Sequence, residues 1–240
     1  MGFTAPDIQK LNSEFESKSA EDLLRWAAKN FPAGLVLASS FGAEDVVLID
    51  LLSKIAPSVR IVTLDTGRLP EETYQVMDAV RSRYGVKIEA FFPDAARVEA
   101  LVHAKGFYSF RESVENRKEC CQIRKVEPLK RALAGAQAWI TGLRRDQAAS
   151  RQRLDKFEID GAHGGIVKLS PLAGWTEEKT WEYIKKNNVP YNRLHDAGFR
   201  SIGCEPCTRA VKPGEDVRSG RWWWENPGHK ECGIHQNPKP

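Results

Sequence analysis

What this chain lacks sets its limits. No apolar run approaches the ~20 residues needed to cross a bilayer, and the best stretch, residues 46–52, is interrupted by Asp50. The opening residues, MGFTAPDIQK, carry no basic region followed by an apolar one, so no secretory signal is expected and the cytoplasm is the expected compartment. No sign of charge dominates. Lys and Arg number 36 against 32 Asp and Glu, a net charge of +4. That is too small to indicate a reader of duplex nucleic acid, and it suits a small anionic substrate. There is no internal repeat and no long low-complexity segment. With 41% hydrophobic residues over a length of 240, the chain is too apolar for disorder and long enough to bury a real core.

What is present reads as alternating strands and helices. Ser19 stands three residues before Asp22 as a helix cap, ahead of Leu23, Leu24, Trp26 and Ala27 on one helical face. Short apolar runs at 34–38, 59–64, 86–92, 136–141 and 166–169 read as strands. Between them, helices are expected at 46–55, from Pro70 with Glu71 and Glu72 in its first turn, after Asp94, and over 176–188. This alternation predicts an α/β fold, a parallel sheet with helices on both faces. Ligands of such sheets bind beyond the carboxyl ends of the strands. Three strands end there in polar, glycine-containing loops at 39–45, 65–68 and 142–146. After about Gly198 the periodicity dissolves. Residues 1–213 are expected to form one nucleotide-binding domain and 214–240 a mobile C-terminal tail.

The five cysteines divide into two kinds. Cys120 and Cys121 are adjacent, and Cys204 and Cys207 form a C-x-x-C in a Gly/Pro-rich loop. Together they offer four thiolates, enough for tetrahedral zinc or an iron–sulfur cluster. Spacing alone leaves both open, although adjacent ligands reach separate iron corners more easily than two corners of one zinc tetrahedron. The alternative for all four is simple burial as small hydrophobes. Cys232 sits apart, in HKECGIH at 229–235. His229, Lys230 and His235 there favour its thiolate, so it is a candidate nucleophile, against the alternative of a spectator thiol in a frayed tail.

Seven motifs occur in order: SSFGAED (39–45), LDTGRL (64–69), KECCQIRK (118–125), GLRRDQ (142–147), GCEPC (203–207), GRWWWE (220–225) and ECGIH (231–235). In these the chain resembles the sulfonucleotide reductases, specifically the cluster-containing, thioredoxin-dependent adenylyl-sulfate (APS) reductases of assimilatory sulfate reduction. The resemblance covers about residues 38–235. It implies a fold like that of the adenine-nucleotide α-hydrolases, one [4Fe–4S] cluster per chain held by Cys120, Cys121, Cys204 and Cys207, and Cys232 as the nucleophile. The first loop departs from the SGGxDS pattern of ATP-cleaving relatives, which counts against pyrophosphatase chemistry. Relatives acting on the 3′-phosphorylated nucleotide (PAPS) usually lack the four cluster cysteines, so the resemblance favours APS. A PAPS or dual-specificity reductase is the near alternative, and a zinc-containing nucleotide-binding protein the distant one.

The implied chemistry assigns roles along the chain. Cys232 attacks the sulfur of APS, AMP leaves, and a thioredoxin or glutaredoxin, expected as a separate protein, releases sulfite from the S-sulfocysteine. An anion attacking an anion needs cations, and the candidates are Lys125, Arg218 and Arg221, with Arg144, Arg145 and Arg151 toward the nucleotide. The competing reading of each arginine is a solvated surface charge. His235 is expected to orient the attacking or leaving group. Ser39, Ser40, Phe41, Gly42 and Ala43 are expected to cradle phosphate at a helix N-terminus. Leu64 and Gly142 would meet adenine through backbone groups, with Asp65, Thr66, Gly67 and Arg68 on the ribose side. A homo-oligomer is expected, with no nucleic-acid or membrane partner.

Overall fold

The computed structural model describes residues 3–226 and 233–235. Six strands form one sheet: β1 (Leu35–Ala38), β2 (Arg60–Leu64), β3 (Ile88–Phe91), β4 (Ala138–Ile140), β5 (Phe157–Asp160) and β6 (Ile166–Leu169). Their order is β3-β2-β1-β4-β6-β5. Every pairing is parallel except β5 with β6. The parallel sheet expected from the sequence thus carries one antiparallel strand, β5, at its edge. Residues 157–160 hold an alternating F-E-I-D pattern, and Gly164 and Gly165 supply the positive φ values (80° and 75°) that let a five-residue connection turn the chain back into β6.

Side chains alternate across this sheet and so build two cores. Leu35 and Leu37 of β1, with Ala138 and Ile140 of β4, join the larger core. It is packed under α1 (Ala5–Phe15), α2 (Ala20–Asn30), α3 (Ala43–Ile55), α4 (Glu71–Tyr84) and α8 (Glu177–Lys186). Val36, Val62 and Trp139 face the other side and meet Leu129, Ala132 and Leu133 around α7 (Glu127–Ala132). The remaining helices are α5 (Ala95–Lys105) and α6 (Val114–Cys121). Helices thus cover both faces, as expected.

Local chemistry sets the element boundaries. Ser19 and Asp22 form a reciprocal capping box at the start of α2. Helix α3 begins at Ala43, three residues before its apolar pattern, because Glu44 and Asp45 occupy its positive first turn. Asp50, which breaks the apolar run of α3, is buried. It accepts from Lys54 Nζ (2.6 Å), Tyr183 Oη (2.6 Å) and Tyr84 Oη (2.9 Å). Burial alone would raise its pKa, but these donors outweigh it and hold the carboxyl below its ordinary value. Among the described residues no helix is long and apolar enough to cross a membrane.

Candidate active site

The loops after β1, β2 and β4 meet over the carboxyl edge of the sheet and enclose a cavity of about 220 Å³. Ser39, Ser40, Gly42, Ala43, Leu64, Thr66, Lys125, Gly142, Arg144, Arg151, Arg218 and Arg221, all candidates from the sequence, line it. The loop after β1 is tightly made. The Ser40 N–H and hydroxyl donate to Asp45 Oδ2 (2.5 and 2.8 Å), and the Phe41 N–H donates to Ser39 Oγ (3.1 Å). Those two N–H groups are therefore spoken for, and the groups of the loop left for an anion are the first-turn N–H groups of α3. Asp45 also meets the Gly142 backbone, tying the β1 loop to the β4 loop. Burial pushes its carboxyl up to about 6 despite these donors.

Five expected contacts do not line this cavity. Phe41 adopts φ 58°, which turns its ring down into the larger core. Asp65 is buried beneath the loop, where it accepts from the Gly67 N–H (2.8 Å) and Tyr74 Oη (3.0 Å). Gly67 itself makes the turn at φ 69°. Arg145 points opposite to Arg144, toward Glu16 (2.7 and 3.0 Å) and the Leu154 carbonyl (2.8 Å). Arg68 faces a second, smaller cavity, its guanidinium 5.1 Å from the Phe110 ring centroid.

That second cavity is lined by all four of Cys120, Cys121, Cys204 and Cys207, and none is in a disulfide. The adjacent pair comes from the last turn of α6, where the backbone passes into a single π-helical turn, Gln122–Val126, carrying Arg124 and Lys125. Such a turn shifts side chains relative to α-helical register and is frequent at functional sites. Cys204 caps and Cys207 ends a 3₁₀ turn, Glu205–Cys207, closed by the Cys207 N–H on the Cys204 carbonyl (3.0 Å). Burial pushes Cys204 up, but Lys125, the Thr66 hydroxyl (3.2 Å), Arg221 and Arg124 bring it net below the ordinary thiol value. Cys207 has burial and the neighbouring Cys204 against it and is pushed up to about 12. Burial likewise raises Cys120.

Among the described residues, three buried N–H donors border these thiols without partners: Arg124 Nε, Arg221 Nε and Trp222 Nε1. A set of four thiols, three unanswered donors and a surround of cations suits an anionic, sulfur-rich group. Among the described residues, no group of three or more His, Cys, Asp or Glu side chains is arranged to hold a metal ion. Lys125, Arg221 and Trp222 line both cavities and form the wall between them. Trp222 is itself fixed between the guanidinium groups of Arg117 and Arg221, each 4.6 Å from its ring centroid.

Cys232 and the side chain of His235 lie outside the described residues. Their neighbour Ile234 lines the first cavity and packs on the Val36–Val62–Leu129 cluster. Sequence reasoning missed His195 and Arg200, which also line that cavity. Both belong to the irregular segment before GCEPC, where no periodicity marks a face.

The Phosphoadenosine phosphosulfate reductase domain model matches residues 34–210, spanning the sheet and both cysteine pairs. The chain belongs to this family. Within it, an adenosine 5′-phosphosulfate reductase of Allochromatium vinosum is 50% identical over 202 residues, covering 84% of this chain and 78% of that protein. A solved phosphoadenylyl-sulfate reductase of Candida auris, in a phosphate complex, matches with a TM-score of 0.76 at 30% identity, covering 88% of this chain and 99% of that one. The FMN adenylyltransferase of Candida glabrata, at TM-score 0.55 and 16% identity over 95% of this chain and 84% of that one, shares the fold alone.

Proposed function

We propose that this chain is an oxidoreductase that reduces adenosine 5′-phosphosulfate to sulfite and AMP in sulfate assimilation. The observation that carries this reading is the common wall of Lys125, Arg221 and Trp222 between a nucleotide-sized cavity and a four-thiol pocket. It is supported by the named activity of relatives such as that of A. vinosum.

In the proposed reaction the Cys232 thiolate attacks the sulfur of APS. The S–O bond to phosphate breaks, AMP departs with its electron pair, and an S-sulfocysteine remains. A thiolate of a separate dithiol protein, thioredoxin or glutaredoxin, then attacks Cys232 Sγ. Sulfite leaves with the S–S electron pair, and the donor's second thiol resolves the mixed disulfide, so the donor is oxidised by two electrons. Lys125, Arg218 and Arg221 offset the repulsion between thiolate and phosphosulfate; charge-assisted hydrogen bonds of this kind contribute roughly 1.5–3 kcal/mol each. Helix α3 offers its N-terminus to the nucleotide's phosphate. His235 orients the attacking or leaving group, and residues 214–240 act as the segment that brings Cys232 to the substrate.

Cys120, Cys121, Cys204 and Cys207 would hold one [4Fe–4S] cluster, with Arg124, Arg221 and Trp222 donating to its sulfurs. When bound, it supplies structural order and an electrostatic field at Lys125. The reading further implies a cytoplasmic homo-oligomer. The test is anaerobic purification followed by sulfite release with APS and a dithiol donor, with PAPS at equal concentration as the comparison. APS-dependent release with about four irons per chain is expected. Zinc with no sulfite release overturns the reading, and equal turnover of both nucleotides overturns the preference for APS.

A further inference from the structure

Among the described residues, His195 is the one imidazole in the wall of the cavity over the carboxyl edge of the sheet, and its Nε2 is buried without a hydrogen-bond partner. It sits on a 3₁₀ turn, Arg193–His195, capped by Asn192, whose Oδ1 accepts from the Leu194 N–H (3.0 Å). Asn192 is itself buried and anchored by Nδ2 to Thr73 Oγ1 of α4 (3.1 Å). The imidazole packs edge-on against Trp181 of α8, with centroids 5.0 Å apart at 78°. A held ring in a cavity wall with one polar atom left unanswered has the form of a ligand contact, since buried polar atoms are normally paired.

The tautomer follows from the other nitrogen. The Phe199 backbone hydrogen-bonds the ring in a way that favours its protonated form, as a carbonyl acceptor does. With Nε2 unpartnered, that bond belongs to Nδ1–H, so Nε2 is the acceptor. Burial holds the imidazole pKa below its ordinary value and keeps the ring neutral. A neutral acceptor suits a neutral donor rather than a phosphate.

We infer that His195 is a nucleotide-contacting residue whose Nε2 accepts a hydrogen bond from a neutral donor of the adenosine moiety, a ribose hydroxyl or the adenine amino group. This rests on the nucleotide reading above and adds a contact to it. The experiment is calorimetric titration of AMP, 2′-deoxy-AMP, 3′-deoxy-AMP and purine riboside 5′-monophosphate into wild type, His195→Ala and His195→Gln. Melting curves of each protein confirm folding. AMP affinity is expected to fall about tenfold in the alanine variant and to recover in part with glutamine, which restores an acceptor. Against one analogue, the one lacking the donor, wild type and His195→Ala should bind equally. Equal affinity of wild type and His195→Ala for AMP overturns the inference, as does the same loss with all four nucleotides. If wild type does not bind AMP at all, the nucleotide reading itself fails and takes this contact with it.

Discussion

Removing the Glu225 carboxylate should destabilise the protein more than any surface charge change. Arg117 of α6 and Glu225 form a two-point pair, Nε to Oε1 at 2.9 Å and Nη2 to Oε2 at 2.8 Å. Their side chains are only 1% and 3% exposed. Arg117 also lies over Trp222, so the pair fastens the root of the C-terminal segment to the helix that carries Cys120 and Cys121. Breaking a buried pair at one end leaves the other charge uncompensated and costs about 3–5 kcal/mol. Glu225→Leu should therefore lower the urea midpoint by that free energy divided by an unchanged m-value, followed by tryptophan fluorescence. The double variant Arg117→Met/Glu225→Leu should recover most of the loss, because no buried charge remains, although the stacking of Arg117 on Trp222 goes with it. A cost below about 1 kcal/mol for Glu225→Leu, or a double variant no more stable than the single one, refutes the reasoning.

Two further outcomes follow from the β1 and β4 loops. The folded Asp45 carboxyl titrates at about 6 against an ordinary 3.8, so the folded state holds this proton more tightly than the unfolded chain does. That stability is complete below 3.8 and is lost as pH rises through about 6, a difference of about 3 kcal/mol. The stability of wild type minus that of Asp45→Asn should fall by about this amount between pH ~4 and ~7, and a flat difference contradicts the assignment. At Gly142 an added Cβ would lie 2.3 Å from Asp45 Oδ1 and 2.9 Å from Glu44 Cβ. Gly142→Ala should cost about 1–3 kcal/mol of stability and weaken AMP at least tenfold by titration; wild-type affinity would show that the two loops do not set the cavity together.

Much of this was legible in the sequence, and the exceptions have physical reasons. The buried strands announced themselves as short apolar runs, and Ser19, Pro70 and Asp94 marked helix starts because caps and first-turn residues act locally. Strand β5 was missed because four residues with two charges carry too little pattern against the longer runs beside them. The motif loops reached the predicted cavity, yet Phe41, Arg68 and Arg145 did not: a motif fixes where the backbone goes, while φ and neighbouring carboxylates decide where each side chain points. The π turn that carries Lys125 has no sequence signature, and His195 lies in a segment without periodicity.

In the proposed reaction one cysteine breaks the sulfur–oxygen bond while four others serve a different purpose. The most direct measurement is mass spectrometry of the protein mixed with APS and no thiol donor. A sulfonate adduct is expected on the peptide containing Cys232 and none on those containing Cys120, Cys121, Cys204 or Cys207. An adduct on one of those four, or no adduct anywhere, contradicts it.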